Sequence, residues 1–466
     1  MIRSGLKLEA IHGFRLSPDV KGRAMRETGW ADGLRGIAAA FVVASHLTLC
    51  YARGLVPPCC GPDEATPRLF QRPVLRLVAS GHSWVALFFI LLGFVNSLKP
   101  LSMARAGQVD QALAKLAQSS FSRIFRLVLP AAVATVISWL VCNLGFYQIS
   151  RSSDAFWLNV NTPEMSDSWT LAFKDLLTAL QATWLFGHQN TYDQPQWAMV
   201  YLLQGSVMTI SALSLTISMT PAWRCVVLFL LAIWSMNWSH IIGDPWAGIC
   251  CFFGIILSEV SLTTIPSSLT QVSPVLTPVL GLIALVFMSF PGSYAESAAW
   301  SRGLKVFVIE KLGLEVGDAV DRFYGSIGGI LLIFSVLISP HARWALSRKP
   351  LPWLGKVSFA IYLLHGLFMR TVFAWILHVG QSLVLTYQQT PEGAYYQEPR
   401  YPVPNSLRCA VATIVLIICT GAASYFWNLK LEPIFAKTTT QLEQCVRGNY
   451  PKMGATNGSI LPLRKD

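Results

Sequence analysis

Gly33-Leu34-Arg35-Gly36-Ile37-Ala38-Ala39-Ala40-Phe41-Val42-Val43-Ala44-Ser45-His46 opens an apolar run that continues to Tyr51 and contains no acidic residue. A helix needs roughly 17–25 such residues to cross a bilayer, and 34–51 meets that length. Comparable runs follow at 83–99, 125–146, 197–219, 222–239, 244–261, 274–291, 324–340, 353–378 and 407–428. Of the 466 residues, 53% are hydrophobic and only 13% charged, and mean hydropathy is +0.48. A soluble protein of this size needs more charge to cover its surface. The pattern implies an all-α, polytopic integral membrane protein with about ten transmembrane helices. We expect one membrane domain, 34–428, between an N-terminal tail, 1–33, and a C-terminal tail, 429–466.

The formal charge of +12 is not the signature of a nucleic-acid partner, because the basic residues gather in alternate loops. With both termini on one side, that side holds roughly twice as many Lys and Arg as the other. The positive-inside rule then puts both termini in the cytosol, in the endoplasmic reticulum or another endomembrane. Residues 1–30 are polar and basic with no apolar h-region, so the first apolar run is expected to direct membrane insertion. The ten cysteines are scattered and show no metal-ligand spacing with His, so no metal site is expected. Cys59 and Cys60 fall in a loop facing away from the cytosol. Trp169–Gly187 is apolar on one face and carries Lys174, Asp175 and Gln181 on another, as an interfacial or re-entrant helix would. The long loops 52–82, 147–196, 292–323 and 379–406 share the non-cytosolic side and suit a lid over a cavity.

The chemistry concentrates on the first and ninth runs. Arg35 lies at the cytosolic mouth and His46 eleven residues deeper, which returns to within about 20° of the same helix face after a rise of about 16 Å. An ionisable residue inside a membrane is a functional candidate by default, and an imidazole is the commonest general base. The ninth run enters from the same side and sets His365 at nearly the depth of His46, with Ser358 on its face and Lys356 roughly opposite. Arg123 and Arg126, three apart at the start of the third run, roughly share a face. Arginines at such a mouth suit phosphate, although the positive-inside rule also accounts for them. No internal repeat is visible, which disfavours a transporter built on paired repeats.

Arg35 and His46, ten residues between them, resemble the start of the acyltransferase 3 family of membrane-bound O-acyltransferases. Phe88-Phe89-Ile90-Leu91-Leu92-Gly93-Phe94 resembles its FFxLSGF segment, and Arg123, Arg126 and Pro130 its RxxR-(x)n-P stretch. Leu354–Gly366 is similar to its LGxxSFxLYLxHG segment. Asn190 to Trp197, continuing to Gly205-Ser206, is similar to the fungal NxYDxxLWTIPxEFxGS. Order and spacing agree across 30–430. The chain departs at Leu92, where the family has Ser, and at Leu202, where it has Glu. The resemblance implies transfer of an acyl group, most simply acetyl, from acyl-CoA to a hydroxyl of a small apolar acceptor, as in secondary-metabolite biosynthesis. It implies no permanently bound cofactor. Arg35, Arg123 and Arg126 would hold the CoA phosphates, His46 would be the base, and His365 would orient His46 or bind the acceptor. The alternatives are a polytopic transporter using the same groups as a relay and a catalytically silent binding relative.

Overall fold

The computed structural model describes residues 28–59, 66–238, 245–313, 319–389 and 395–447. Most of the N-terminal tail, the last 19 residues of the C-terminal tail and Cys60 lie outside the described residues. The ten apolar runs correspond to helices α1 (Gly29–Tyr51), α2 (Gly81–Arg105), α3 (Val109–Asn143), α4 (Met199–Thr216), α5 (Pro221–Trp234), α6 (Pro245–Ser261), α7 (Ser273–Met288), α8 (Ala319–Ile338), α9 (Leu351–Phe368) and α10 (Ser406–Phe426). By length and hydropathy, the described residues give seven spans. An eighth arises if α6 is joined across a 68° bend to the following helical stretch that ends at Gln271. At 14 and 16 residues, α5 and α7 are shorter than a bilayer is thick. The all-α polytopic architecture is thus present, with seven or eight spans by this measure rather than ten.

The helix Trp169–Ala182 has 14 residues and lies against α3: Ala172, Leu176 and Ala179 are buried, and Trp139 Nε1 donates to Ala172 O at 2.8 Å. Its other face exposes Trp169, Phe173 and Leu177. A two-stranded antiparallel hairpin, β1 (Val384–Gln389) and β2 (Tyr395–Arg400), projects from the loop after α9 with Val384 opposite Arg400. The sequence reading did not anticipate it. Its β-branched and aromatic residues occupy a segment too short to stand out from a polar loop.

At the centre, α2 packs against α1, α3, α4, α6 and α8, while α9 packs along α1. In lipid there is little hydrophobic drive between helices, so close van der Waals packing through small residues carries association. Two crossings show this. A methyl group at Gly93 of α2 would overlap Cys251 O of α6, and one at Gly254 of α6 would overlap Ile90 O. On the other side of the bundle, a methyl at Gly355 of α9 would overlap Asp32 O, and one at Gly36 would lie 2.7 Å from Gly355 N. A buried charge network ties the far ends of α2, α5 and α6. Glu259 Oε1 accepts from Arg105 Nε at 2.8 Å, and Oε2 accepts from Arg224 Nη1 at 2.7 Å. Arg224, inside the run 222–239, is buried, and its remaining donors reach the carbonyls of Thr216, Ile217 and Met219.

Because the α1–α9 contact is backbone on backbone, it cannot absorb a side chain by rotamer change. Gly355→Val should lower the thermal unfolding midpoint of the solubilised protein, the overpacking costing about 1–3 kcal/mol or more. A wild-type midpoint with full activity would show that the crossing is loose.

Candidate active site

The two glycines set a common zero for α1 and α9. From Gly36 to His46 and from Gly355 to His365 there are ten residues each, a rise of about 15 Å on both helices. The imidazoles consequently arrive at one level. His46 Nδ1 lies 2.9 Å from His365 Nε2, with ring centroids 5.1 Å apart and planes at 22°.

The partners of His365 settle which nitrogen does what. Its Nδ1 faces two backbone carbonyls, Tyr362 O at 2.8 Å and Ile361 O at 3.1 Å. Carbonyls only accept, so Nδ1 carries the proton, and in the neutral ring Nε2 is left as an acceptor. His46 Nδ1 must then donate to it, and His46 Nε2 keeps its lone pair. His365 is fully buried, whereas His46 is half-buried. The accessible imidazole is the one whose basic nitrogen is spare. That is the arrangement a general base would need, with a second histidine to orient it.

The walls of this site come from residues that the sequence reading did not single out. Trp157, buried in the helix Phe156–Asn161, stacks on His46 at 5.0 Å and 23°. Arg370, five residues beyond His365, is fully buried. It donates to Gly366 O (3.0 Å), Tyr192 O (2.5 Å) and Asp193 Oδ1 (3.2 Å). Its Cζ is 5.9 Å from the Trp157 ring centroid. Asp193 Oδ2 accepts from Gln196 Nε2 at 2.9 Å, and Asn190 donates to Thr135 and Thr183. The segment 190–196 is thus fastened to the helix that carries His365. An arginine inside the ninth apolar run was a sufficient signal for Arg370. Nothing local marks Trp157, which reaches His46 only through the folding back of a loop.

The three arginines lie at the other end of the bundle. Arg35 donates from Nε (3.2 Å) and Nη2 (2.8 Å) to Gly355 O and pairs with Asp32 at 3.0 Å. It is therefore first a clamp between α1 and α9, with Nη1 left over. Ser358 also donates to Gly355 O, at 2.8 Å, so it does not serve His365, and Lys356 is exposed. On α3, Thr135 is level with Gln196 at 3.3 Å. Arg126 and Arg123 lie nine and twelve residues before it, about 14 and 18 Å toward the Arg35 end. Arg126 is exposed, with Glu432 in electrostatic range. Arg123 buries an Nη1 that has no hydrogen-bond partner among the described residues.

A second histidine relay is structural. Ser153 Oγ lies 2.7 Å from His378 Nε2, and His378 Nδ1 lies 2.7 Å from Gln381 Oε1. Ser153 is fully buried, and its Oγ also accepts from Ala155 N, so this cluster fastens the 147–162 loop to the end of the α9 segment. Leu92 and Leu202 both pack against the principal core.

In comparison with known proteins, residues 28–425 match the acyltransferase domain family. The O-acetyltransferase PaAT-1 of Phomopsis amygdali is 25% identical over 383 residues, covering 75% of this chain and 74% of its own. The acyltransferase R4 of a Phoma species is 25% identical over 403 residues, 74% of this chain and 83% of its own. The acyltransferase clz18 of Cochliobolus lunatus is 23% identical over 414 residues, 75% and 85% respectively. No solved structure matches.

Removing one member of a buried ion pair strands the other, at about 3–5 kcal/mol. Asp193→Leu should therefore lower the unfolding midpoint more than the double change Asp193→Leu with Arg370→Leu. Equal losses in a thermal melt would mean that the pair does not hold the 190–196 segment.

Proposed function

This chain belongs to the acyltransferase 3 family, and from that membership we propose that it is an acyl-CoA-dependent O-acyltransferase, most simply an O-acetyltransferase, with His46 as its general base. The observation that carries the proposal is the 2.9 Å contact between His46 Nδ1 and His365 Nε2, which leaves His46 Nε2 ready to take a proton. The acceptor hydroxyl gives its proton to Nε2 while its oxygen attacks the thioester carbonyl. The carbon–sulfur bond breaks, and the CoA thiolate leaves with the proton returned from the imidazolium. His365 is a positioning residue: it holds the ring of His46 and its tautomer. In this reading Ser and Cys need not act as nucleophiles, and no metal or bound cofactor takes part.

The donor's phosphates are too polar for the bilayer and would stay at the arginine end, against Arg123 and Arg126 and the spare Nη1 of Arg35. The Nη1 of Arg123, buried and without a hydrogen-bond partner among the described residues, supports this, because a guanidinium suits phosphate geometry. The pantetheine arm would follow α1 inward for about 16 Å. The acceptor is an alcohol of modest size. The names of the relatives and their fungal sources support a place in secondary-metabolite biosynthesis, in an endomembrane with both termini in the cytosol.

His46→Ala should leave a membrane-resident protein that still binds CoA and should lower turnover by roughly 10²–10⁴. His46→Gln, which cannot accept the proton near neutral pH, should be nearly as poor. His365→Ala should cost less, since it removes orientation and not the base. Near-normal turnover of acetyl-CoA by His46→Gln would refute the assignment. For the donor, Arg123→Gln and Arg126→Gln should raise the KM for acetyl-CoA with little change in kcat. Arg35→Gln should also lower the unfolding midpoint, because Arg35 clamps the two helices. Unchanged KM in all three would move the donor site elsewhere.

A further inference from the structure

A general base holds a positive charge for part of each turnover, and a charge inside a bundle is costly unless something compensates it. Among the described residues, no carboxylate bonds to His46. Its Nδ1 meets the lone pair of His365 Nε2 at 2.9 Å. The fixed charge in electrostatic range of it is a cation, Arg370, and Asp193 is bonded to that same guanidinium.

The other neighbour of the imidazole is a ring. Trp157 lies with its plane at 23° to that of His46 and its centroid 5.0 Å away. Near-parallel rings at this separation overlap with an offset. His365 approaches through the edge of the His46 ring, at Nδ1, and so leaves its faces to other groups. Trp157 covers one of them. The face of an indole attracts a cation more strongly than that of any other side chain, and the attraction grows where water is excluded. Trp157 is only 2% exposed.

The fold holds this indole from both sides. Trp157 belongs to the helix Phe156–Asn161 and to a buried cluster with Leu47 and Cys50 of α1 and Met369 and Phe373 beyond the end of α9. Before it in the chain, Phe156 has the Arg53 guanidinium 4.0 Å from its centroid, which ties the helix to the end of α1. Ala155 N donates to Ser153 Oγ, which bonds to His378. A group fixed in this way needs no reorganisation when charge develops beside it.

We propose that Trp157 stabilises the imidazolium formed on His46 during acyl transfer, through a cation–π contact with the face of the ring. The indole then does what the carboxylate does in a Ser-His-Asp triad. It favours the charged ring over the neutral one, and only such a difference between states speeds the reaction. Trp157 acts through His46 and is a positioning residue. The inference rests on the general-base reading of the preceding section.

The test uses full-length protein in nanodiscs, acetyl-CoA as donor and water as the probe acceptor. Water attacks the thioester carbonyl as His46 takes its proton, the carbon–sulfur bond breaks, and the thiolate takes the proton back. Acetic acid and CoA result, and CoA is followed with a thiol reagent. Trp157→Leu should lower kcat about 5- to 30-fold with the KM for acetyl-CoA unchanged, and Trp157→Phe should recover most of the rate. A tetrafluorinated tryptophan placed at 157 by nonsense suppression keeps the shape but drains the ring face. It should lower kcat at a wild-type unfolding midpoint, which decides the matter even if Trp157→Leu does not fold. In a His46→Gln background, where no imidazolium forms, the fluorinated ring should leave the residual rate unchanged. Wild-type or faster turnover with the fluorinated ring, or an equal loss in the His46→Gln background, overturns the proposal and leaves the general-base reading standing. A wild type that releases CoA no faster than His46→Gln removes the general-base reading, and the proposal with it.

Discussion

The close approach of α1 and α9 at Gly36 and Gly355 is the contact on which the site depends. Helices in lipid gain most from surfaces that let backbones touch, and here no side chain separates them. Arg35 and Ser358 both donate to the carbonyl of Gly355, so the crossing is bonded as well as packed. Two helices joined at one level and rising equally keep their register. Ten residues on, that register becomes a hydrogen bond between two histidines.

Buried charge holds the rest of the frame. Arg370 is too deep for water to solvate, so carbonyl oxygens and Asp193 satisfy its donors. This draws the 190–196 segment onto α9, with the Arg370 guanidinium also 5.9 Å from the Trp157 ring. Glu259 does equivalent work at the opposite end, where Arg105 and Arg224 converge on it. Leu92 and Leu202 pack against the principal core where the family carries polar residues. The hydrogen-bond partner of His46 Nδ1 is His365 Nε2.

The proposed reaction would separate two tasks along the helix axis. Arginines occupy one end, and the imidazole pair lies about 15 Å away. A strongly anionic donor and a less polar acceptor can then meet at one base without sharing a binding surface. His46 is half-buried and His365 fully buried, which in the proposed reaction would suit the first to contact with the reacting atoms and the second to support.

Apolar run length and the 3.6-residue period were enough, from sequence alone, to read an all-α polytopic architecture, the ten helical segments, and the common depth of His46 and His365. These follow from rise per residue and from the refusal of lipid to solvate charge, which act locally along the chain. Span number was less legible, because α5, α6 and α7 are apolar but short or bent. The tautomer of each histidine, the clamp made by Arg35, the burial of Arg224, and the convergence of Trp157, Asp193 and Arg370 were decided only by the tertiary structure. Apart from the proton on His365 Nδ1, which faces carbonyls three and four residues back, each depends on a partner dozens to hundreds of residues away, and hydrogen-bond direction depends on which atoms meet rather than on which residues are present.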